Sequence, residues 1–188
     1  MDSRQRFLET TAKLVRERGF AATSVGDIVA ESGAPKGSLY FHFPKGKDQL
    51  VAEALRYAGT TTCALMQAAL ESAKGPQSGL ETIMTLLAAD LEGSGFSAGC
   101  PIGNVAAEAP EAEQVRECVG EVFATWEEVV KASLERAVVK RRRAGELATF
   151  VLSVVEGALV LAKAKRSLLP LENAKRELAR VLKAEGVA

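Results

Sequence analysis

At 188 residues, with 47% apolar side chains, the chain is long enough to bury a substantial core, and its 24 basic and 24 acidic side chains cancel to a net charge of zero. The N-terminal run Met1–Arg6 lacks an apolar signal core, and the most apolar stretch, Phe150 to Ala162, is short and carries Glu156, so secretion and membrane insertion are not expected. Cysteines at 63, 100 and 118 have no metal-ligand spacing and an odd number, which predicts free thiols in a reducing cytoplasm and neither a metal nor a cofactor.

Apolar residues recur at 3.6-residue spacing almost throughout, with no alternating strand pattern, and an all-α fold is predicted. The first helix, about 3–18, offers Phe7, Leu8, Thr11, Ala12, Leu14 and Val15 to a core and ends at Gly19, after which Phe20 packs back. Ser24 then caps a short helix, with Asp27 in its first turn as a capping-box partner. Val25, Ile28, Val29 and Ser32 form its inner face, and Gly33 supplies the left-handed residue that ends it. Pro35 suits the start of the next helix, where a missing amide hydrogen costs nothing. Two short helices around a tight turn make a helix-turn-helix. In the second, Leu39 is the core anchor, while Lys36, Gly37, Ser38, Tyr40 and His42 have the chemistry to meet phosphates and base edges. Between Lys36 and Lys47 there are three lysines and no acid. Residues 1–58 carry nine Lys/Arg against seven Asp/Glu, leaving fifteen against seventeen for the remainder, a sign asymmetry that suits a DNA-facing head.

These residues resemble the DNA-binding domain of the TetR family of bacterial transcriptional regulators. The resemblance is carried by Thr23-Ser24-Val25, Asp27-Ile28, Gly33, Gly37-Ser38-Leu39-Tyr40 and His42-Phe43. It implies that Lys36, Gly37, Ser38 and Tyr40 contact the operator from the recognition helix, with Thr23, Ser24 and His42 near the backbone. It also implies that Lys47, at the N-terminus of the fourth helix, clamps a phosphate. Pro35 stands where many members carry a capping Ser. A second stretch, Gly99-Cys100-Pro101-Ile102-Gly103-Asn104 through Glu108, resembles the LmrA/YxaF-type subgroup, as does Phe43-Pro44-Lys45-Gly46-Lys47. That resemblance implies release of DNA by hydrophobic, often aromatic effectors.

Beyond the head, a long fourth helix from Lys47 to Lys74-Gly75-Pro76, with Leu50, Ala54, Ala58, Leu65 and Ala69 on one side, spans about 40 Å and links head to body. The expected division is therefore a helix-turn-helix domain at 1–46 and a helical effector-binding and dimerisation domain at 47–188. Further helices are predicted at about 79–92, 101–109, 111–139, 145–166 and 171–184. The seventh presents Val115, Val119, Val122, Phe123, Trp126, Val130 and Val138 on one face. The eighth is apolar nearly all round, with Gly157 and Ala158 permitting close approach, so a homodimer is predicted through it and through Leu178, Val181 and Leu182 of the ninth. Lys140-Arg141-Arg142-Arg143 is taken as a solvated cluster closing the seventh helix.

Met66, Phe96, Cys100, Phe123 and Trp126 are the expected effector-lining residues, Trp126 foremost for its stacking face and indole donor. The combined expectation is a homodimeric repressor on double-stranded palindromic operator DNA, released by a small hydrophobic effector. A thiol-based redox or electrophile sensor is the alternative. No phosphate loop or nucleophile–base set is present, so catalysis is not expected.

Overall fold

A computed structural model of the chain describes residues 2–137 and 139–187. Val138, expected on the inner face of the seventh helix, lies outside them. The described residues form nine α-helices and no strand: α1 (Ser3–Arg18), α2 (Val25–Ser32), α3 (Lys36–His42), α4 (Lys47–Ser72), α5 (Pro76–Gly93), α6 (Pro101–Glu108), α7 (Glu113–Arg136), α8 (Arg141–Lys165) and α9 (Leu169–Ala184).

Local caps account for the early boundaries. The Asp2 carboxylate accepts from the Gln5 amide at 2.8 Å and starts α1. Ser24 and Asp27 close a full capping box at α2, each side chain accepting from the other's backbone N–H at 3.1 Å. The Ser24 hydroxyl also holds the Asp27 carboxyl below its ordinary pKa. Gly33 ends α2 at φ 58°, the left-handed conformation expected of it. Pro35 occupies the N-cap of α3 without a side-chain bond, and its carbonyl accepts from the Ser38 amide at 2.9 Å.

The chain forms two compact units. One comprises residues up to Thr61 together with Cys100–Phe123; the other comprises Thr62–Gly99 and the residues from Ala124 onward. The division expected after residue 46 falls inside the first unit, because Leu50 and Ala54 of α4 complete the head core with Phe7, Leu8, Leu14, Ile28, Leu39 and Phe43. Phe7 and Phe43 meet edge to face with centroids 6.3 Å apart at the centre of that core. In the same unit α7 crosses α4 at Gly59, where a β-carbon would stand 2.6 Å from Val122 Cγ1, so only glycine fits unless Val122 moves. α6 packs on α1.

In the second unit α9 packs on α5 and α8. Three expectations change here. Leu65, placed on the inner side of α4, is 59% exposed, and the buried stripe runs through Met66, Ala69 and Leu70 instead. Pro76 opens α5 as its first residue, with the Gly75 amide donating to Ser78 Oγ at 3.3 Å, so this helix starts earlier than its predicted Gly79. Arg141, Arg142 and Arg143 form the first turn of α8 and do not close α7. Cations at a helix N-terminus oppose its dipole, and Glu146 and Glu185 offset them: Arg143 Nε donates to Glu185 at 3.0 Å and its Nη1 to Glu146 at 3.2 Å.

Less than half of the most apolar part of α8 is buried. At 25 residues this helix is long and apolar enough to cross a membrane by length and composition, unlike the shorter stretch considered in the sequence. Its outward side carries Phe150, Val160 and Leu161, at 44%, 62% and 51% exposure. Beside them a groove of about 440 Å³ runs between α8 and α9, lined by Val154, Gly157, Ala158, Leu161, Leu169 and Pro170 among others.

Candidate nucleic-acid interface

The recognition helix α3 divides its seven residues sharply. Leu39 is fully buried, followed by the equally buried Phe43. Ser38 and His42, one turn apart, are half-buried and both meet Ser3 of α1: Ser3 Oγ lies 2.7 Å from Ser38 Oγ and 2.9 Å from His42 Nε2. Lys36, Gly37, Tyr40 and Phe41 are exposed and, at i, i+1, i+4 and i+5, share one face. A β-carbon at Gly37 would meet nothing within 4 Å, so no internal contact requires glycine there; an approaching backbone would.

Phe41 was passed over in the sequence as a free position of the motif. It is 81% exposed, with its ring edge-on to His42 at 5.1 Å, beside Tyr40 at 50% exposure. Its spacing from Lys36 and Gly37 was the available signal.

Thr23 moves the other way. Its side chain is fully buried and its hydroxyl donates to the Gly19 carbonyl at 2.7 Å, because the turn after α1 folds back over it. The Thr23 hydroxyl is therefore spent inside the head, although the resemblance places this residue near the DNA backbone. Ser24 is exposed at the start of α2, with its hydroxyl engaged by Asp27.

Lys47 opens α4 half-buried. Its ammonium donates to the Phe20 carbonyl at 2.7 Å and stands 4.2 Å from the centre of the Phe20 ring. Burial lowers its pKa, against the pull of Asp48 and Glu108. Glu108, from the end of α6, reaches the same turn: its two carboxylate oxygens accept from the amides of Phe20 at 2.8 Å and Ala21 at 2.7 Å. Asn104 on the same helix donates to the Arg16 carbonyl at 2.8 Å, covering the C-terminal end of α1. Neither Asn104 nor Glu108 was singled out for this role in the sequence, since each partner lies 87 or 88 residues away.

The five expected effector residues fall in both units. Met66 and Trp126 are buried in the second, at 6% and 4% exposure, with Phe96 half-buried at φ 62°. Cys100 and Phe123 belong to the first. None of the five lines the groove between α8 and α9. Among the thiols, Cys118 is buried, donates to the Ala52 carbonyl at 3.1 Å, and has its pKa raised by burial. Cys100 caps α6 instead, with its sulfur accepting from the Gly103 amide at 3.3 Å. The Arg16 guanidinium, whose pKa is lowered by burial, interacts electrostatically with it. No cluster of three metal-ligating side chains occurs among the described residues.

A short exposed helix carrying Lys36, Gly37, Tyr40 and Phe41, held by a capped partner helix on a core shared by α1 to α4, defines a helix-turn-helix DNA-binding protein. Comparison with known proteins agrees. Residues 7–54 match the N-terminal domain of bacterial regulatory proteins of the TetR family, and residues 76–177 match the C-terminal domain of LmrA/YxaF-like transcriptional regulators. The chain belongs to the TetR family of transcriptional regulators, in its LmrA/YxaF-like group. It is 36% identical to the HTH-type transcriptional regulator Rv0196 of Mycobacterium tuberculosis, over 97% of this chain and 95% of that protein. It is 32% identical to the HTH-type transcriptional regulator LmrA of Bacillus subtilis, over 90% and 91% of the two chains. A crystal structure of a TetR regulator from Rhodobacter sphaeroides shares the fold at a TM-score of 0.86 and 22% identity, covering 94% of this chain and 96% of that one.

Proposed function

We propose that this regulator is a cytoplasmic homodimeric repressor that binds a palindromic operator and lets it go when a small hydrophobic or aromatic effector occupies the C-terminal domain. The exposed face of α3 carries the reading: a lysine, a glycine with open space before it, and two exposed aromatics, in a stretch with no acidic residue. Lys36 supplies a phosphate or guanine donor, Gly37 admits the sugar-phosphate backbone, and Tyr40 and Phe41 offer a hydroxyl and an apolar ring to the groove. Ser38 and His42 sit behind this face against Ser3, with Ser24 at the rim.

The second copy is the occupant we assign to the α8–α9 face. Its exposed Leu161 and Leu169 line a groove together with Gly157 and Ala158, and a β-carbon at Gly157 would meet nothing within 4 Å, which leaves room for an apposed helix. A two-fold dimer presents two recognition helices to half-sites about 34–36 Å apart. Met66, Phe96, Phe123, Trp126 and Cys100 remain the proposed effector contacts. The device works by linkage: an effector that favours the DNA-incompetent state weakens operator binding by the factor by which the operator weakens effector binding.

A second reading has its own observation. Cys100 caps the N-terminus of α6 and interacts with the Arg16 cation. In that reading an oxidant or electrophile takes the place of the effector. Operator duplexes selected from a random library are titrated with the chain across a salt series, with aromatic, planar and cationic compounds and with peroxide. Release by one compound class supports the first reading. Release by peroxide alone, abolished in Cys100→Ser, replaces it with the second. Failure to select any duplex rejects both.

A further inference from the structure

The Ser3 hydroxyl, at the first residue of α1, stands between two side chains of the recognition helix: its Oγ lies 2.7 Å from Ser38 Oγ and 2.9 Å from His42 Nε2. Nothing else among the described residues hydrogen-bonds to these three side chains, so they form a row with two free ends, the Ser38 hydroxyl and His42 Nδ1. Neighbours hold the row in place. Arg6, one turn along α1, donates from Nε to the Ser32 carbonyl at 2.9 Å, just before the Gly33 turn, which sets α1 against the helix pair. The His42 ring is flanked by Phe41 and Phe43, with centroids 5.1 and 6.2 Å away and planes inclined by 78° and 61°.

A hydroxyl carries one proton, so with a neutral ring the row runs in one of two directions. In one, His42 Nε2–H donates to Ser3, Ser3 donates to Ser38, and Nδ1 is left as a bare lone pair. In the other, Ser38 donates to Ser3, Ser3 donates to Nε2, and the ring carries its proton on Nδ1, at the free end. Phosphate oxygens only accept, so an anion beside His42 is met by a lone pair in the first direction and by a donor in the second. The Ser38 hydroxyl rotates to either role, whereas the ring is fixed between its aromatic neighbours, so the ring decides which direction suits DNA. We propose that Ser3 is a positioning residue for operator binding: it donates to His42 Nε2, holds the ring in the Nδ1–H tautomer, and so turns a donor toward the operator backbone while tying Ser38 to the same point. The inference deepens the repressor reading and rests on its placing of His42 near the DNA backbone.

The test joins two measurements on the full chain. His42 is its only histidine, so the imidazole gives one unambiguous pair of ring-nitrogen resonances. Without DNA, at about pH 8.5, where an ordinary imidazole is neutral, long-range proton–nitrogen correlation NMR should show the Nδ1–H tautomer in wild type and in Ser3→Thr, and loss of that single tautomer in Ser3→Ala. Duplexes selected with wild type are then titrated. Ser3→Ala should bind about fivefold more weakly, and Ser3→Thr, which keeps the hydroxyl, within about twofold of wild type. In the Ser38→Ala/His42→Ala background, removing the Ser3 hydroxyl as well should cost less than about twofold, because Ser3 acts only through these two side chains. A wild-type ring in the Nε2–H tautomer reverses the row and overturns the proposal, as does a tautomer that Ser3→Ala leaves unchanged; neither result depends on the double variant folding. The full fivefold loss persisting in that background means that Ser3 touches DNA itself and overturns it as well. A wild-type chain that selects no duplex rejects the repressor reading itself, whereas one that selects a duplex which Ser3→Ala binds as tightly rejects only the role given to Ser3.

Discussion

The surface of α3 and that of α8 and α9 both leave large apolar side chains in water, and they differ in what surrounds them. On α3, Tyr40 and Phe41 stand beside Lys36 in a lysine-bearing stretch without acids. On α8 and α9, exposed Leu161 and Leu169 line a groove with Val154, Gly157, Ala158, Pro170 and Ala174, where Lys165 is the one charged side chain among the described lining residues, and Phe150 and Val160 stand exposed on the same helix as Leu161. An exposed aromatic among cations suits a polyanion with apolar base edges, whereas an exposed aliphatic stripe with small residues suits another helix at close range. Exposure alone says only that something covers a face; its neighbours say what.

The comparison breaks first at the aliphatic face. Leu161→Glu places a charge at the centre of the proposed dimer seam, where an unpaired desolvated charge costs several kcal/mol. Sedimentation velocity should show monomer where wild type shows dimer, and operator affinity should fall by more than about 100-fold. Retention of a dimer with full affinity would remove α8 from the interface.

Gly19→Ala tests the head's internal geometry. Its φ of 86° is unfavourable for alanine, and the added carbon collides with Glu108, so thermal unfolding should show a loss of about 2 kcal/mol. Dimerisation should be untouched.

The aromatic face is sharpened by contrast within it. Phe41→Ala should weaken operator binding about tenfold without changing its salt dependence, whereas Lys36→Ala should flatten the log–log salt slope by about 0.9 if it meets a phosphate. Equal slopes in the two variants would mean that Lys36 reads a base edge.

The smallest effect lies in the head core. Thr11 Oγ is buried with no hydrogen-bond partner among the described residues, so Thr11→Val, nearly isosteric, should raise stability by about 1 kcal/mol in a denaturant melt.

Several residues mark how far the chain could be read before it was folded. The capping box of Ser24 and Asp27, the left-handed Gly33 and the glycine end of α1 were legible because each acts within three or four positions. Helix boundaries slipped where one signal has two meanings. Pro76 was read as a break and proved a start, and the arginines at 141–143 were assigned to the wrong helix because Arg is tolerated at either end when acids offset the dipole.

Site residues followed the same rule. Among the candidates, Lys36, Gly37 and Tyr40 stand exposed on one face with Phe41, which the sequence reading did not single out, while Thr23, of equally suitable chemistry, is buried. Composition cannot separate a hydroxyl that meets solvent from one spent on the Gly19 carbonyl four residues back. By itself, then, the sequence determined the helices, the helix-turn-helix and the family, since caps, periodicity and turn residues are local. Only the tertiary structure decided which side chains of α3 face outward and that Glu108 meets Phe20 and Ala21. Those outcomes depend on contacts 35 to 88 residues apart, whose geometry exists only once the core around Phe7 and Phe43 has closed.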